Sequence, residues 1–315
     1  MSAEPTSFTT TDDWVAWEGS VVNGVFPLHC FLGSSDHSAV FRTECRSKGL
    51  AEATLKLIPA NTLRPADQLA QWRAASAVSH PNIVRVLEFG RCLVGGEEYL
   101  FVVTEYAEQV LTEVLAGRAL SAAEVRELLR PALEALAFLH QRRLVHSRLK
   151  PSNLLAVNDQ LKIAGDTIRP TGADASEVAS SSVYDAPELA GGKISTASDI
   201  WALGVTMAEA ITQNVPVWTD SLRETVRLPA NVPLSFAGIV QRCLAKSPAA
   251  RPTAIELLSP YKSISQIQVI STPLPVRELP PPQETGWRNS NAIYVSMFAI
   301  AGALVVFLLA WTALR

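Results

Sequence analysis

The stretch VHSRLKPSNLL, residues 145–155, sets a histidine, an arginine, a lysine and an asparagine within eight positions. It follows SAAEVRELLRPALEALAFLHQRR, residues 121–143, whose periodicity predicts a long helix. Ser121 and Glu124 stand at capping-box spacing, so each can satisfy a free N–H of the helix start. A loop of polar residues after a buried helix is a place for chemistry on a rigid support. The residue in its centre is Arg148, whose guanidinium carries five donors and no acceptor and stays charged near neutral pH. Arg148 can therefore pair with an acidic group or a phosphate, but it cannot take up a proton.

Upstream of this loop the text alternates like strands. VFPLHCFLG (25–33) and SAVFRTEC (38–45) read as a hairpin, and AEATLKLIP (51–59) as a third strand. PADQLAQWRAASAVS (65–79) has helical period, and NIVRVLEFGRC (82–92) and EEYLFVVTEYA (97–107) are two more strands joined at Gly95 and Gly96. Downstream the texture is helical, in STASDIWALGVTMAEAITQ (195–213) and SFAGIVQRCLA (235–245). Strands followed by helices predict an α+β fold of two lobes, a β-rich one over 25–107 and a helical one over 108–262, behind a polar segment at 1–24.

The 315 residues are 48% hydrophobic and 18% charged, so most of the chain is globular. A net charge of −3 gives no footprint for nucleic acid. Cys30, Cys45, Cys92 and Cys243 are too scattered for a zinc site and read as reduced thiols. Residues 263–291 form a linker, Pro-rich over 271–286, that predicts an extended tether. Ala292–Leu314 is uncharged and, at 1.5 Å per residue, reaches about 34 Å, enough for one membrane span. Trp287, Tyr294 and Trp311 sit towards its ends. The N-terminus has no signal-peptide pattern, and Arg277 and Arg288 precede the span, which places the N-terminal portion in the cytoplasm. The chain stops one residue after the span, as a tail-anchored or a truncated protein does.

ATLK (53–56), HPNIV (80–84), TEY (104–106), HSRLKPSNLL (146–155), APE (186–188), DIWALG (199–204) and RPT (251–253) come in an order and spacing that resemble the protein kinase family, of the bacterial Ser/Thr type. The resemblance covers Val25 to Tyr261 and implies a bilobal fold that binds ATP and Mg²⁺ between its lobes. It places Gly33, Val40, Lys56, Glu105, Ala107 and Leu155 around the nucleotide, with Lys56 on the α and β phosphates. The helix residue that usually partners this lysine is a glutamate; here the count gives Gln71, which can hydrogen-bond the ammonium without charge.

The same resemblance exposes departures. The phosphate-covering loop reads GSSDHSAV (33–40), where Gly33 remains, Ser35 and Ser38 replace glycines, and Asp36 puts a negative charge at the tip. In the catalytic loop His146, Lys150 and Asn153 remain, Ser147 replaces an arginine and Arg148 the proton-accepting aspartate. After LKIA, direct counting puts Gly165 at the metal-ligand position and Asp166 one place later; a one-residue slip brings Asp166 to the metal beside Asn153. The structural positions are kept: Glu188 and Arg251 as a buried ion pair, Asp199 as the anchor of the catalytic-loop backbone. Scaffold retained and chemistry lost imply a membrane-anchored pseudokinase, a signalling scaffold or regulator that docks a true kinase or its substrate through the helical lobe. The alternatives are a Ser/Thr kinase with an atypical site around Lys56, Lys150, Asn153 and Asp166, and a nucleotide sensor without phosphotransfer.

Overall fold

The structure, a computed structural model, describes residues 14–35, 38–62, 64–175, 182–190, 192–218 and 226–267. The expected span at 292–314 and most of the linker lie outside these residues, as does Asp36. Among the described residues no helix is long and apolar enough to cross a membrane.

The N-terminal lobe is a five-stranded antiparallel sheet of β1 (Cys30–Ser35), β2 (Ser38–Cys45), β3 (Leu50–Pro59), β4 (Val86–Val94) and β5 (Glu97–Glu105), in the order β1-β2-β3-β5-β4. Successive side chains of a strand point to opposite faces, and β5 is apolar on both. Tyr99, Phe101 and Val103 join Leu55 and Leu57 in an outer cluster, while Leu100 and Val102 join Trp72 in the main core. Each such buried side chain stabilises the fold by roughly 1.5–3 kcal/mol.

The outer cluster has a cover that uses Trp14 and Trp17, the two aromatic anchors that the otherwise polar N-terminal segment offers. Val21–Val22 pairs with Phe26–Pro27, and Trp14, Val22, Phe26 and Leu28 lie buried on the outer face. Trp14, Trp17 and Tyr99 meet edge to face, with centroids 5.0–6.0 Å apart. The packed lobe thus includes residues from Trp14 on, ahead of Val25, and VFPLHCFLG is split between this small hairpin and β1. Apolar residues spaced too irregularly for a strand pattern find their face only once the sheet exists.

Helix α1 (Pro65–Ser76) packs across the sheet through Trp72 and Ala75. After α2 (Leu111–Gly117), the long helix α3 (Ala122–Gln141) carries the helical lobe. Its start is the expected capping box: Glu124 N–H donates to Ser121 Oγ at 3.3 Å, and Ser121 N–H to Glu124 Oε2 at 2.8 Å. Val125, Leu128, Leu129, Ala132, Leu136 and Leu139 bury one stripe at helical spacing. The hairpin of β6 (Leu154–Val157) and β7 (Gln160–Ile163) turns through Asn158 and Asp159, both at positive φ, as a tight two-residue turn requires. The central helix α4 (Thr196–Thr212) is buried almost all round. Gly204 is required on it: a Cβ there would lie 2.7 Å from Cys243 Cβ of α5 (Leu234–Cys243). Helix α6 (Ala254–Ile267), the last among the described residues, runs five residues past the expected end of the lobe. All four cysteines are free.

Candidate active site

The catalytic loop hangs from Asp199, which α4 presents almost fully buried. Its carboxylate accepts the backbone N–H groups of His146 (2.8 Å) and Ser147 (2.9 Å) and lies 2.9 Å from His140 Nε2. Those bonds hold Ser147 at a φ of +67°, a conformation unfavourable for any side chain but glycine. Ser147 Oγ donates to the Thr167 carbonyl at 2.7 Å, and Thr167 Oγ1 lies 3.3 Å from His146 Nε2. His146 is wholly buried, and burial holds its imidazole below the ordinary value, hence neutral at pH 7. On the far side of the loop Asn153 Nδ2 donates to the Arg148 carbonyl at 2.6 Å, and Ala164 N–H donates to the Asn153 carbonyl at 3.0 Å. The loop that carries Arg148 is therefore fixed at both ends.

Lys56 lies on β3 opposite Val40 and Val102. Its ammonium donates to Asp166 Oδ2 at 2.6 Å. Burial pushes the Asp166 carboxyl up, but the adjoining Lys56 charge and hydrogen bond outweigh it and hold the group below the ordinary carboxylate value. Gly165 cannot be the metal-ligand position in disguise: a Cβ built there would lie 2.0 Å from the Val84 carbonyl oxygen. Asp166, not residue 165, is the carboxylate that faces Lys56. Gln71 differs from its expectation too. Its Nε2 donates to the Asp166 carbonyl at 3.1 Å and its Oε1 accepts from Gln68, so it steadies the backbone of Asp166 instead of the ammonium. Trp72 Nε1 donates to the same carbonyl at 3.1 Å, a role hidden in the sequence by its periodic core spacing.

Around the rest of the cleft, Val40, Ala107 and Leu155 are half-buried. Gly33 lies beside a bulge in β1, and Ser35 and Ser38 close the hairpin with their hydroxyls 2.8 Å apart. The Glu105 side chain is engaged within the protein. Its carboxylate accepts Arg85 N–H (3.0 Å), Arg85 Nε (2.8 Å) and Lys162 Nζ (2.9 Å). Burial would raise the Glu105 carboxyl, and these donors together hold it below its ordinary value of 4.5. Lys162 on β7 thereby ties the helical lobe to the end of β5, a contact the motifs gave no reason to look for.

Arg251 is the best-satisfied charge in the scaffold. Its side chain is 0% exposed, and its five donors reach both oxygens of Glu188 (2.7 and 2.8 Å) and the carbonyls of Ala245, Ala197 and Lys246. Trp201 lies under the guanidinium at 5.0 Å.

A magnesium ion can find one carboxylate here, Asp166, and one amide oxygen, that of Asn153, whose Nδ2 is already committed. Among the described residues no group of three or more His, Cys, Asp or Glu could hold a metal. The donor set fits an ion that takes its remaining ligands from phosphates and water.

This is a two-lobed architecture, a β-rich lobe and a helical one, with Lys56 and Asp166 in contact between them. The chain belongs to the protein kinase family, whose domain it matches over residues 30–261. It is similar to the serine/threonine-protein kinase Pkn3 of Myxococcus xanthus, at 26% identity over 93% of this chain and 63% of that protein. It is also 33% identical to the mouse inactive serine/threonine-protein kinase PLK5, over 58% of this chain and 33% of that one. The chain thus spans less than two thirds of these relatives. The kinase domain of PknI from Mycobacterium tuberculosis shares the fold, with a TM-score of 0.62 and 22% identity over 79% of this chain and 98% of that one.

Proposed function

We propose that the chain is a membrane-anchored protein-kinase-like domain that no longer transfers phosphate and acts as a signalling scaffold or regulator. The reading is supported by the motif, which puts Arg148 at the proton-acceptor position, and by a loop backbone held at His146, Ser147 and Arg148. A serine hydroxyl becomes a nucleophile only if a nearby group accepts its hydrogen bond and then its proton. A guanidinium does neither. The mouse relative named as inactive is a precedent for a silent kinase domain.

Nucleotide binding stands apart from transfer. Lys56 would meet phosphate oxygens, and Asp166 with Asn153 would hold a magnesium ion, which when bound neutralises phosphate charge. The 2.6 Å contact of Lys56 with Asp166 is also what favours a second reading, a Ser/Thr kinase of atypical site. Transfer of labelled γ-phosphate from ATP separates the two. No signal above a Lys56→Met control is expected, and transfer above that control rejects the silent reading. An ATP-induced rise in Tm that depends on Lys56 supports a retained nucleotide site, since a ligand bound to the folded state stabilises it by mass action.

The apolar run 292–314 supports a single membrane span with the kinase-like domain on the cytoplasmic side. The partner is a true kinase or its substrate, docked on the helical lobe near residues 189–198. The full chain should sediment with membranes and resist carbonate extraction, whereas a chain ending at residue 270 should be soluble; membrane retention of the shorter chain rejects the anchor.

A further inference from the structure

A pocket opens between the catalytic loop and the segment before Glu188, walled in part by Ser147, Arg148, Lys150, Ser182, Tyr184 and Asp185. Its ten wall residues include two cations delivered by one short loop, one anion in Asp185, and the apolar Leu149, Leu189 and Ala202. Burial lowers the Lys150 ammonium pKa, and the Arg148 and Lys56 charges lower it further, with Asp185 opposing. Among the described residues the charges around this loop are Lys56, Arg148 and Lys150 against Asp166 and Asp185, a balance of three to two. Asp166 is already bound to Lys56, and Asp185 Oδ2 accepts the Ser182 N–H at 3.1 Å. An aspartate at 148 would turn the balance to two against three. The exchange of carboxylate for guanidinium thus converts a place suited to a hydroxyl donor into one suited to an anion.

The anion that fits is a phosphate monoester. A guanidinium fork matches two phosphate oxygens at once, and an ammonium serves as a point charge for a third. Ser182 Oγ accepts the Tyr184 N–H at 3.4 Å, which leaves its own O–H to donate. Arg148 is engaged within the protein already; a phosphate dianion competes for it with a higher charge than a carboxylate brings. The loop needs no reordering, because its backbone is fixed from Asp199 and Asn153.

We propose that this pocket receives a phosphorylated serine or threonine side chain presented by another protein, so that the domain holds the product of phosphorylation instead of making it. The proposal rests on the non-catalytic reading above, since a site that transfers phosphate must release that product.

The test uses the full chain in detergent and two fluorescent peptide pools that are degenerate around a central phosphoserine or a central serine. Fluorescence polarisation should show the phosphorylated pool bound at least tenfold more tightly. O-phospho-L-serine should compete better than inorganic phosphate, and the preference should fall at least tenfold in Arg148→Gln at unchanged Tm. Should that variant unfold, Lys150→Met reads the same loss. Equal binding of the pools, binding of neither, better competition by inorganic phosphate, or a preference that survives these substitutions overturns the proposal. The γ-phosphate assay is the separate check: transfer removes the non-catalytic reading, while no transfer with no phosphate preference removes only the receptor.

Discussion

Substituting Gly165 by alanine tests the geometry at the heart of the cleft. The count from LKIA makes residue 165 the metal-ligand position, where an aspartate would seem a natural restoration. The built Cβ, however, lies 2.0 Å from Val84 O and 3.2 Å from Val84 C. Val84 cannot retreat cheaply. Its N–H donates to the Ile163 carbonyl at 2.9 Å, and Ile163 N–H donates to the Asn82 carbonyl at 2.9 Å, so residues 82–84 and 163 are stitched together. Overpacking of a filled site costs about 1–3 kcal/mol, and loss of one or two of these hydrogen bonds adds about 1 kcal/mol each. The expected penalty is about 2–5 kcal/mol. For a domain of this size that is a fall in Tm of roughly 5–20 °C. Thermal unfolding followed by circular dichroism measures it directly. Gly165→Asp should fall at least as far and gain no phosphotransfer. A Gly165→Ala protein that melts within a degree or two of the parent, or an aspartate variant that becomes active, would refute the placement of Asp166 as the carboxylate of this site.

Three further outcomes follow from other contacts. Arg251→Met should cost about 3–5 kcal/mol in denaturant unfolding, because it strands the Glu188 carboxylate; Glu188 is 23% exposed, so the lower part of that range is expected. Asp166→Asn should abolish the Mg²⁺-dependent part of any ATP-induced rise in Tm and leave the metal-free part, which paired melting curves would resolve. Glu105 has a folded pKa below its ordinary 4.5, so the unfolded chain binds its proton first as pH falls. Its contribution to stability is complete above about pH 4.5 and is lost as pH drops through the lower folded value. Glu105→Gln should flatten the acid limb of the stability profile there, and an unchanged limb would show that Arg85 and Lys162 do not hold this carboxylate.

Much of the architecture was legible along the chain because it is written in local periodicity. Five strands of alternating texture, the Ser121–Glu124 cap and the helix around Asp199 each depend on residues a few places apart. Of the N-terminal cover only the aromatic anchors, Trp14 and Trp17, were legible, and not what they pack on. Trp14 and Val22 have no period of their own, and only the finished sheet offers them Tyr99 and Phe101 as partners. Glu105 likewise met Lys162 across 57 positions of sequence, beyond the reach of any local rule.

The identity of Arg148 needed no coordinates. A guanidinium lacks an acceptor in every environment, so its inability to draw a proton is a property of the residue type and its place in the motif. Which carboxylate faces Lys56 was decided by the fold alone. Counting assumes a constant register, but the close approach of the Val84 carbonyl leaves room for no side chain at 165 and turns the next residue towards the ammonium. Side-chain chemistry travels with the sequence, whereas direction and neighbourhood come from packing between segments that the sequence keeps far apart.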